Sequence, residues 1–368
     1  MDSSLTLDRP KAAPRPGVAV RAPREKIADD RAMLRTAAEL TRDLHAPRPL
    51  IYWGDTIASA LVGYGALAVA VSPVPVVVAI AAAIVSVFAL YRAGSFIHEL
   101  THIKHSAVPG FRLGWNLMVG IPLMVPSFMY EGVHNLHHAR TRYGTIDDPE
   151  YLPLALMKPW TLPLFVVVAA LAPVALLVRF ALLAPLSLVV PPLRRWLVAR
   201  ASGLAINPQF GRRPAEGTLR TQWIMQEVAT SLWAIALLAL VATGVIPLKG
   251  FLIFLGITSG VTVINQLRTL VAHLWENEGE AMTVTAQYLD SVNVPPPSTL
   301  PALWAPVGLR YHALHHLLPG VPYHALGEAH RRLSGALGAD SPYHKGNHAG
   351  LLPLIGKIAR STMGARQG

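Results

Sequence analysis

Cysteine is absent from the 368-residue chain, which rules out disulfide staples, thiolate zinc sites, iron–sulfur ligation and cysteine nucleophiles. Charge is scarce too: Asp, Glu, Lys and Arg make up 14% of the residues, against roughly 25% in an ordinary soluble domain. Acids are outnumbered, 21 against 32 Lys and Arg, for a formal net charge of +11. Aromatics reach only 7% and never interleave with the basic residues as on a nucleic-acid surface. The positive balance therefore reads as membrane orientation and anionic lipid, with no nucleic-acid partner. The first 48 residues hold ten Lys/Arg and seven Asp/Glu and no apolar run long enough for a secretory signal. What the chain does have is hydrocarbon, with 52% apolar residues and a mean hydropathy of +0.39. That is the composition of a membrane protein.

A helix needs about 20 apolar residues to cross the hydrocarbon core. Residues 51–71 and 74–97 qualify, and the tight Ser72-Pro73 link makes them a hairpin. Residues 223–246 and 251–272 form a second hairpin, turned at Pro247-Leu248-Lys249-Gly250. The apolar stretch 160–192 is interrupted by Pro163, Pro173, Arg179, Pro185, Pro191 and Pro192. Prolines kink helices and a mid-segment arginine is costly in lipid, so this stretch reads as a bent hairpin or interfacial helices. Residues 113–128 are too short to span and read as re-entrant or interfacial. The expected fold is all-α and integral to the membrane, with about four transmembrane helices in two hairpins plus interfacial helices. Three segments follow: a basic N-terminal segment 1–48, a catalytic membrane domain 49–330, and a C-terminal tail 331–368. The hairpin tips carry one positive residue, Lys249, whereas 193–220 carries six Arg and 310–368 seven Lys/Arg. The positive-inside rule then puts both termini in the cytoplasm, in a bacterial inner membrane if the Ala/Arg/Pro-rich style marks a bacterial source. A single crossing by 160–192 would break this parity.

Ten of the fifteen histidines fall into three clusters and one outlier. The clusters are His98, His102 and His105; His134, His137 and His138; and His312, His315 and His316. His273 stands alone. Each cluster follows an apolar stretch, so all three converge on one cytoplasmic cap. Offsets of three and four share a helix face, and the pattern H-x-x-H-H occurs twice. Eight or nine imidazoles exceed the four ligands of one tetrahedral zinc and point to two ions of higher coordination number. Asn265, Thr269 and His273 step by four along one predicted helix and read as a polar stripe. Glu99, Glu131, Asp147, Asp148 and Asp290 are the carboxylates placed to orient the imidazoles. Asp147-Asp148-Pro149 equally fits an ordinary turn, and Arg268 fits either the site or a lipid headgroup. His45, His324, His330, His344 and His348 share no spacing and read as structural or solvated.

With HELTHIKH at 98–105, HNLHH at 134–138, HALHH at 312–316 and the extra His273, the sequence resembles the membrane fatty acid desaturases. These belong to the broad superfamily that also holds alkane and lipid hydroxylases. The resemblance covers roughly residues 50–330. It implies a diiron centre held by His98, His102, His134, His137, His138, His273, His312, His315 and His316, with His105 carried over less directly. It also implies O2 as co-substrate, an acyl lipid or fatty acyl substrate from the bilayer, and two electrons from a separate donor such as a ferredoxin or a cytochrome b5-like protein. Some members carry asparagine four residues before the extra histidine, where this chain has Thr269. Desaturation is the favoured outcome, with hydroxylation by the same centre as the alternative. Both begin with the same hydrogen abstraction, and the outcome depends on whether a second hydrogen is taken or an oxygen is transferred.

Two readings from other classes compete. HELTH alone matches the H-E-x-x-H signature of a zinc protease with Glu99 as general base, but this leaves both H-x-x-H-H boxes unexplained. A histidine-rich metal transporter would place its ligands at mid-membrane and not at helix ends.

Overall fold

The computed structural model describes residues 27–363 apart from 153, 155, 156 and 299. The expected N-terminal segment is thus seen only from residue 27, and the tail up to 363. The regular elements among the described residues are all helices, with three isolated bridges and no strand.

Helix α1 (Arg31–Leu40) starts at Asp30, whose carboxylate accepts the Met33 amide at 3.0 Å, an ordinary N-cap. It packs Met33 and Ala37 against the C-terminal region. α2 (Pro49–Val71) and α3 (Val76–His102) form the first hairpin. Gly63 makes their close contact possible, because a Cβ there would lie 2.6 Å from the Leu90 side chain. The Ser86 hydroxyl uses that proximity to donate to the Gly63 carbonyl at 2.8 Å. At 1.5 Å per residue α3 is about 40 Å long, longer than the roughly 30 Å hydrocarbon core. It is thus long enough to span that core and still carry His98 and His102, in its last turns, beyond it.

Two one-turn helices, α4 (Phe111–Trp115) and α5 (His134–His137), follow in the connecting region. α6 (Thr161–Val178) comes next and corrects the broken hairpin expected for 160–192. It is one continuous helix that runs through a π turn at Arg179–Leu183 into the short α7 (Ala184–Leu186). Pro163 sits in the first turn, where a missing N–H costs nothing. Pro173 removes the donor that would reach the Ala169 carbonyl, and the Thr262 hydroxyl donates to that carbonyl at 2.7 Å. Borrowed hydroxyls of this kind let membrane helices tolerate proline. Arg179 is neutralised by Glu227 at 2.7 Å and donates to the Ala201 carbonyl and the Ser202 hydroxyl.

α8 (Pro191–Arg200) brings the chain back, and α9 (Gly217–Ala242) and α10 (Leu248–Leu270) form the second hairpin. Among the described residues five helices are long and apolar enough to cross a membrane: 49–71, 76–102, 161–186, 217–242 and 248–270. Their outer faces expose bulky side chains such as Leu61, Val77, Val168 and Leu232, as a lipid-facing surface does. The remaining short helices, α11 (Val284–Asp290), α12 (Pro301–Trp304), α13 (His312–Leu317), α14 (Leu326–Ala336) and α15 (Leu351–Lys357), gather at one end of the bundle.

Candidate metal centre

Four chain segments deliver histidines to that end. α3 supplies His98 and His102, α5 supplies His134 and His137 with His138 next in line, and α13 supplies His312, His315 and His316. His273 arrives three residues after α10 stops at Leu270. The nine rings sort into two groups. The first is His98, His102, His134, His138 and His315; the second is His137, His273, His312 and His316. Within each group the candidate ligand nitrogens all lie within 4.8 Å of one another.

The grouping explains the repeated H-x-x-H-H. At about 100° per residue, positions i+3 and i+4 flank position i on opposite sides. His134 and His138 turn to the first group while His137 turns to the second. In the third box His312 and His316 serve the second group and His315 crosses to the first.

The Nε2 atoms face each other closely: His134–His138 at 3.0 Å, His102–His315 at 3.1 Å, His273–His312 at 3.1 Å and His312–His316 at 3.1 Å. With a metal–nitrogen bond of about 2.1 Å, a 3.1 Å separation corresponds to an angle of about 95° at the metal. A tetrahedral ion would hold the nitrogens about 3.4 Å apart. The spacing fits ions of higher coordination number.

The outer nitrogens fix which atom carries the proton. Asp148, fully buried, accepts from His137 Nδ1 at 2.9 Å. Glu150 accepts from His134 Nδ1 at 2.8 Å and from the Tyr130 hydroxyl at 2.8 Å. The Tyr143 hydroxyl donates to Asp290 at 2.9 Å and receives His273 Nδ1–H at 2.8 Å, with Ser291 Oγ 3.2 Å from the same nitrogen. The Nε2 atoms of His134, His137 and His273 are thereby left as bare lone pairs pointing inward. Burial, followed by the neighbouring rings, pushes His134, His138, His315 and His316 well below the usual histidine range. Burial does the same to His273 and His312. For His137 burial opposes charge, but Asp148 outweighs it and raises the ring's pKa. Burial lifts Glu150 to about 7 and Asp290 to about 6. Two groups of converging imidazoles, three of them oriented by buried carboxyls or a tyrosine, could each hold a metal ion, and the chemistry of this donor set is compatible with iron.

The other expected site residues are placed elsewhere. His105 lies beyond the end of α3, exposed, 3.4 Å from an Arg112 nitrogen and outside both groups. Glu99 turns its carboxylate to the Tyr52 hydroxyl at 2.5 Å and the Tyr323 amide at 3.2 Å. Its nearer oxygen stays 3.8 Å from His98 Nδ1, so it is not poised as a protease base. Glu131 pairs with Arg112 at 2.7 Å, and Asp147 is an exposed turn residue. The polar stripe does not form. α10 ends at Leu270 and His273 pairs antiparallel with Ser291, which breaks the four-residue step. Asn265 faces outward, and Thr269 is half-buried with no hydrogen bond to an imidazole among the described residues. Glu150, Tyr130 and Tyr143 were not anticipated. Glu150 alone left a trace, as the third acid of Asp147-Asp148-Pro149-Glu150.

Residues 33–347 match the fatty acid desaturase family. The chain is also 51% identical over 335 residues to a ceramide hydroxylase of Caulobacter vibrioides, an alignment that covers 91% of this chain and 95% of that protein. With histidine boxes, helical membrane architecture and near full-length similarity in agreement, the chain belongs to the fatty acid desaturase family, the superfamily of membrane desaturases and hydroxylases.

Proposed function

We propose that this protein is an O2-dependent diiron lipid hydroxylase acting on a ceramide-class lipid. The observation that carries the chemistry is the pair of interleaved histidine groups at the ends of α3 and α10, where a chain lying in the bilayer meets the polar end of the protein. Preference for hydroxylation over the desaturation expected from the family resemblance rests on the 51% identity to a protein named ceramide hydroxylase. The reaction takes one C–H bond, O2, two electrons and two protons to one alcohol and one water. Two irons held by the nine histidines would supply the O2 activation that an unactivated C–H bond demands, which acid–base side chains cannot.

The chain's own residues hold the rings still. Asp148, Glu150 and the Tyr143–Asp290 pair keep the Nδ1 protons outward on their histidines. Seven of the nine rings are buried and His102 and His138 half-buried, which limits the access of water. The chain has no cysteine to hold an iron–sulfur cluster; we take the electrons to come from a separate carrier, and the Lys/Arg-rich segments suit an acidic one. The same segments support a histidine end that faces the cytoplasm across a bacterial inner membrane.

The test is turnover of the iron-reconstituted protein in lipid nanodiscs with a reductant, O2 and ceramide, read by mass spectrometry. A product heavier by one oxygen is expected. A product lighter by two hydrogens would return the protein to the desaturases.

A further inference from the structure

Among the described residues two arginines are buried, Arg179 and Arg268, and a third, Arg212, is half-buried. Arg179 and Arg212 each have several acceptors, although one Arg179 nitrogen, Nη1, has none. Arg179 has Glu227, a carbonyl and a hydroxyl. Arg212 donates to the carbonyls of Phe128, Ser202 and Glu131. Arg268, in the last turn of α10 and 8% exposed, is different. Among the described residues no carboxylate lies within ion-pair distance of it. Its one hydrogen-bonding contact is Nη2 to His312 Nδ1 at 3.3 Å, and its Nε is buried without any partner. A buried guanidinium left in this state is costly.

The contact with His312 makes the shortage sharper. His312 presents Nε2 to the second histidine group, 3.1 Å from the Nε2 atoms of His273 and His316. With Nε2 turned to that group as a ligand, the ring's single proton belongs on Nδ1. There it faces a guanidinium that can only donate. Two donors meet and the acceptor between them is missing. A cavity of about 10 Å³ opens at this place, walled by Val271, Trp304 and Leu309 beside Arg268 and His312. That is space for about one oxygen atom or one water. Arg310 also borders it, but its Nε and Nη2 are already bound to the carbonyls of Val294 and Ser298.

We infer that Arg268, with His312 Nδ1–H, binds an acceptor oxygen of the lipid substrate, an amide carbonyl or hydroxyl, and so sets which carbon faces the histidine groups. This rests on the proposed lipid hydroxylation and adds the residue that reads the substrate's polar end. The hydrocarbon walls favour a neutral oxygen carried on an apolar chain over a fully hydrated anion.

The experiment uses full-length protein loaded with zinc, which is redox-inert, in nanodiscs. Binding of ceramide and of a hydrocarbon of matched carbon number is measured by displacement of a fluorescent lipid. Metal content and thermal midpoint are recorded alongside. Wild type is expected to prefer ceramide by about tenfold or more, the worth of one buried hydrogen bond to a charged donor. In Arg268→Gln the preference should fall close to one with metal content unchanged, and Arg268→Lys should keep part of it. Without lipid, Arg268→Gln should melt no lower than wild type, because it removes a buried charge that has no counter-ion, whereas Arg179→Gln should melt lower.

An unchanged preference in Arg268→Gln would overturn the inference and assign the cavity to water. Loss of metal from Arg268→Gln would overturn it in favour of a support for His312. Retained selectivity for the oxygen-bearing lipid, with no oxygenated product from iron-loaded wild type, would sink the proposed function and leave Arg268 as a binding residue.

Discussion

Asp148 is the most informative single perturbation of the metal centre. Its two oxygens serve three donors: His137 Nδ1–H, shared at 2.9 Å, the Gly144 amide on Oδ2 at 2.8 Å, and the Glu150 amide on Oδ1 at 2.8 Å. Asp148→Asn keeps the shape and replaces one acceptor with an NH2 group. Whichever way the amide turns, one backbone N–H then faces a donor in a fully buried place. An unsatisfied buried donor costs about 1–3 kcal/mol of stability. His137 also loses the charge that sustains its ligand strength, and losing such a partner typically lowers metal affinity 10–100-fold, about 1.4–2.8 kcal/mol. Because His137 belongs to the second group, the loss should fall on one ion of two. Glu150→Gln is the mirror experiment, since Glu150 supports His134 of the first group. It should cost less stability, because the Tyr130 hydroxyl can turn to accept from the new amide. The assay is chelator competition on the iron-loaded protein, with metal per chain read by elemental analysis. Asp148→Asn should show one ion lost early and one retained. Simultaneous loss of both ions from a variant with native thermal stability would refute the assignment of separate groups, and unaltered retention would refute the role of Asp148.

Two further outcomes follow from the same geometry. Thr262→Val should destabilise the protein by about 0.6–1.7 kcal/mol, the range for hydrogen bonds between membrane helices. It should be nearly silent in a Pro173→Ala background, where residue 173 regains its own donor for the Ala169 carbonyl; equal costs in the two backgrounds, measured by reversible unfolding, would disprove the coupling. For metal-free protein, acidification should unfold the site. Burial holds His134, His138, His273, His312, His315 and His316 well below the ordinary value, so below about pH 6.5 the unfolded chain binds more protons. The stability present above that pH is then lost as the pH falls. Glu150 and Asp290, raised to about 7 and about 6, and His137, raised by Asp148, act in the opposite sense, but the depressed rings outnumber them. Each proton bound only by the unfolded chain is worth up to about 1.4 kcal/mol per pH unit, and a thermal midpoint unchanged between about pH 6.5 and 5 would rule this out.

The nine clustered histidines were legible because helical spacing alone brings them to helix ends, and no long-range contact is needed to see it. Their supports were legible in part: Asp148, ten residues after the second box, and Asp290, seventeen after His273, stand among the expected carboxylates. Glu150, two residues beyond Asp148, does not, because only the fold shows which acid of the run turns inward. Tyr143 reaches both His273 and Asp290 across more than 125 positions, and no local pattern encodes such a meeting. The Asn265–Thr269–His273 stripe failed for the reverse reason. A periodicity was carried past the residue where the helix stops, and helix ends are set by capping and by the pairing of the next segment.

The count of membrane crossings shows the same division between local and global information. A single crossing by the stretch at 160–192 would put the third histidine box on the opposite side from the first two. The structure contains one long apolar helix there, yet all three boxes meet. The reconciliation lies in where the excursion begins and ends. The chain leaves at Pro149, and after α6, α7 and α8 it returns to hydrogen-bond that same carbonyl, with the amides of Ile206 and Asn207 both 3.0 Å from Pro149 O. The Asn207 side chain also donates to the Asp148 carbonyl at 2.8 Å. Whatever depth α6 reaches, its return is pinned to the turn that holds Asp148 against His137. The clasp that keeps the boxes on one side is therefore built on the residue that orients a ligand, so topology and metal geometry are secured at a single point.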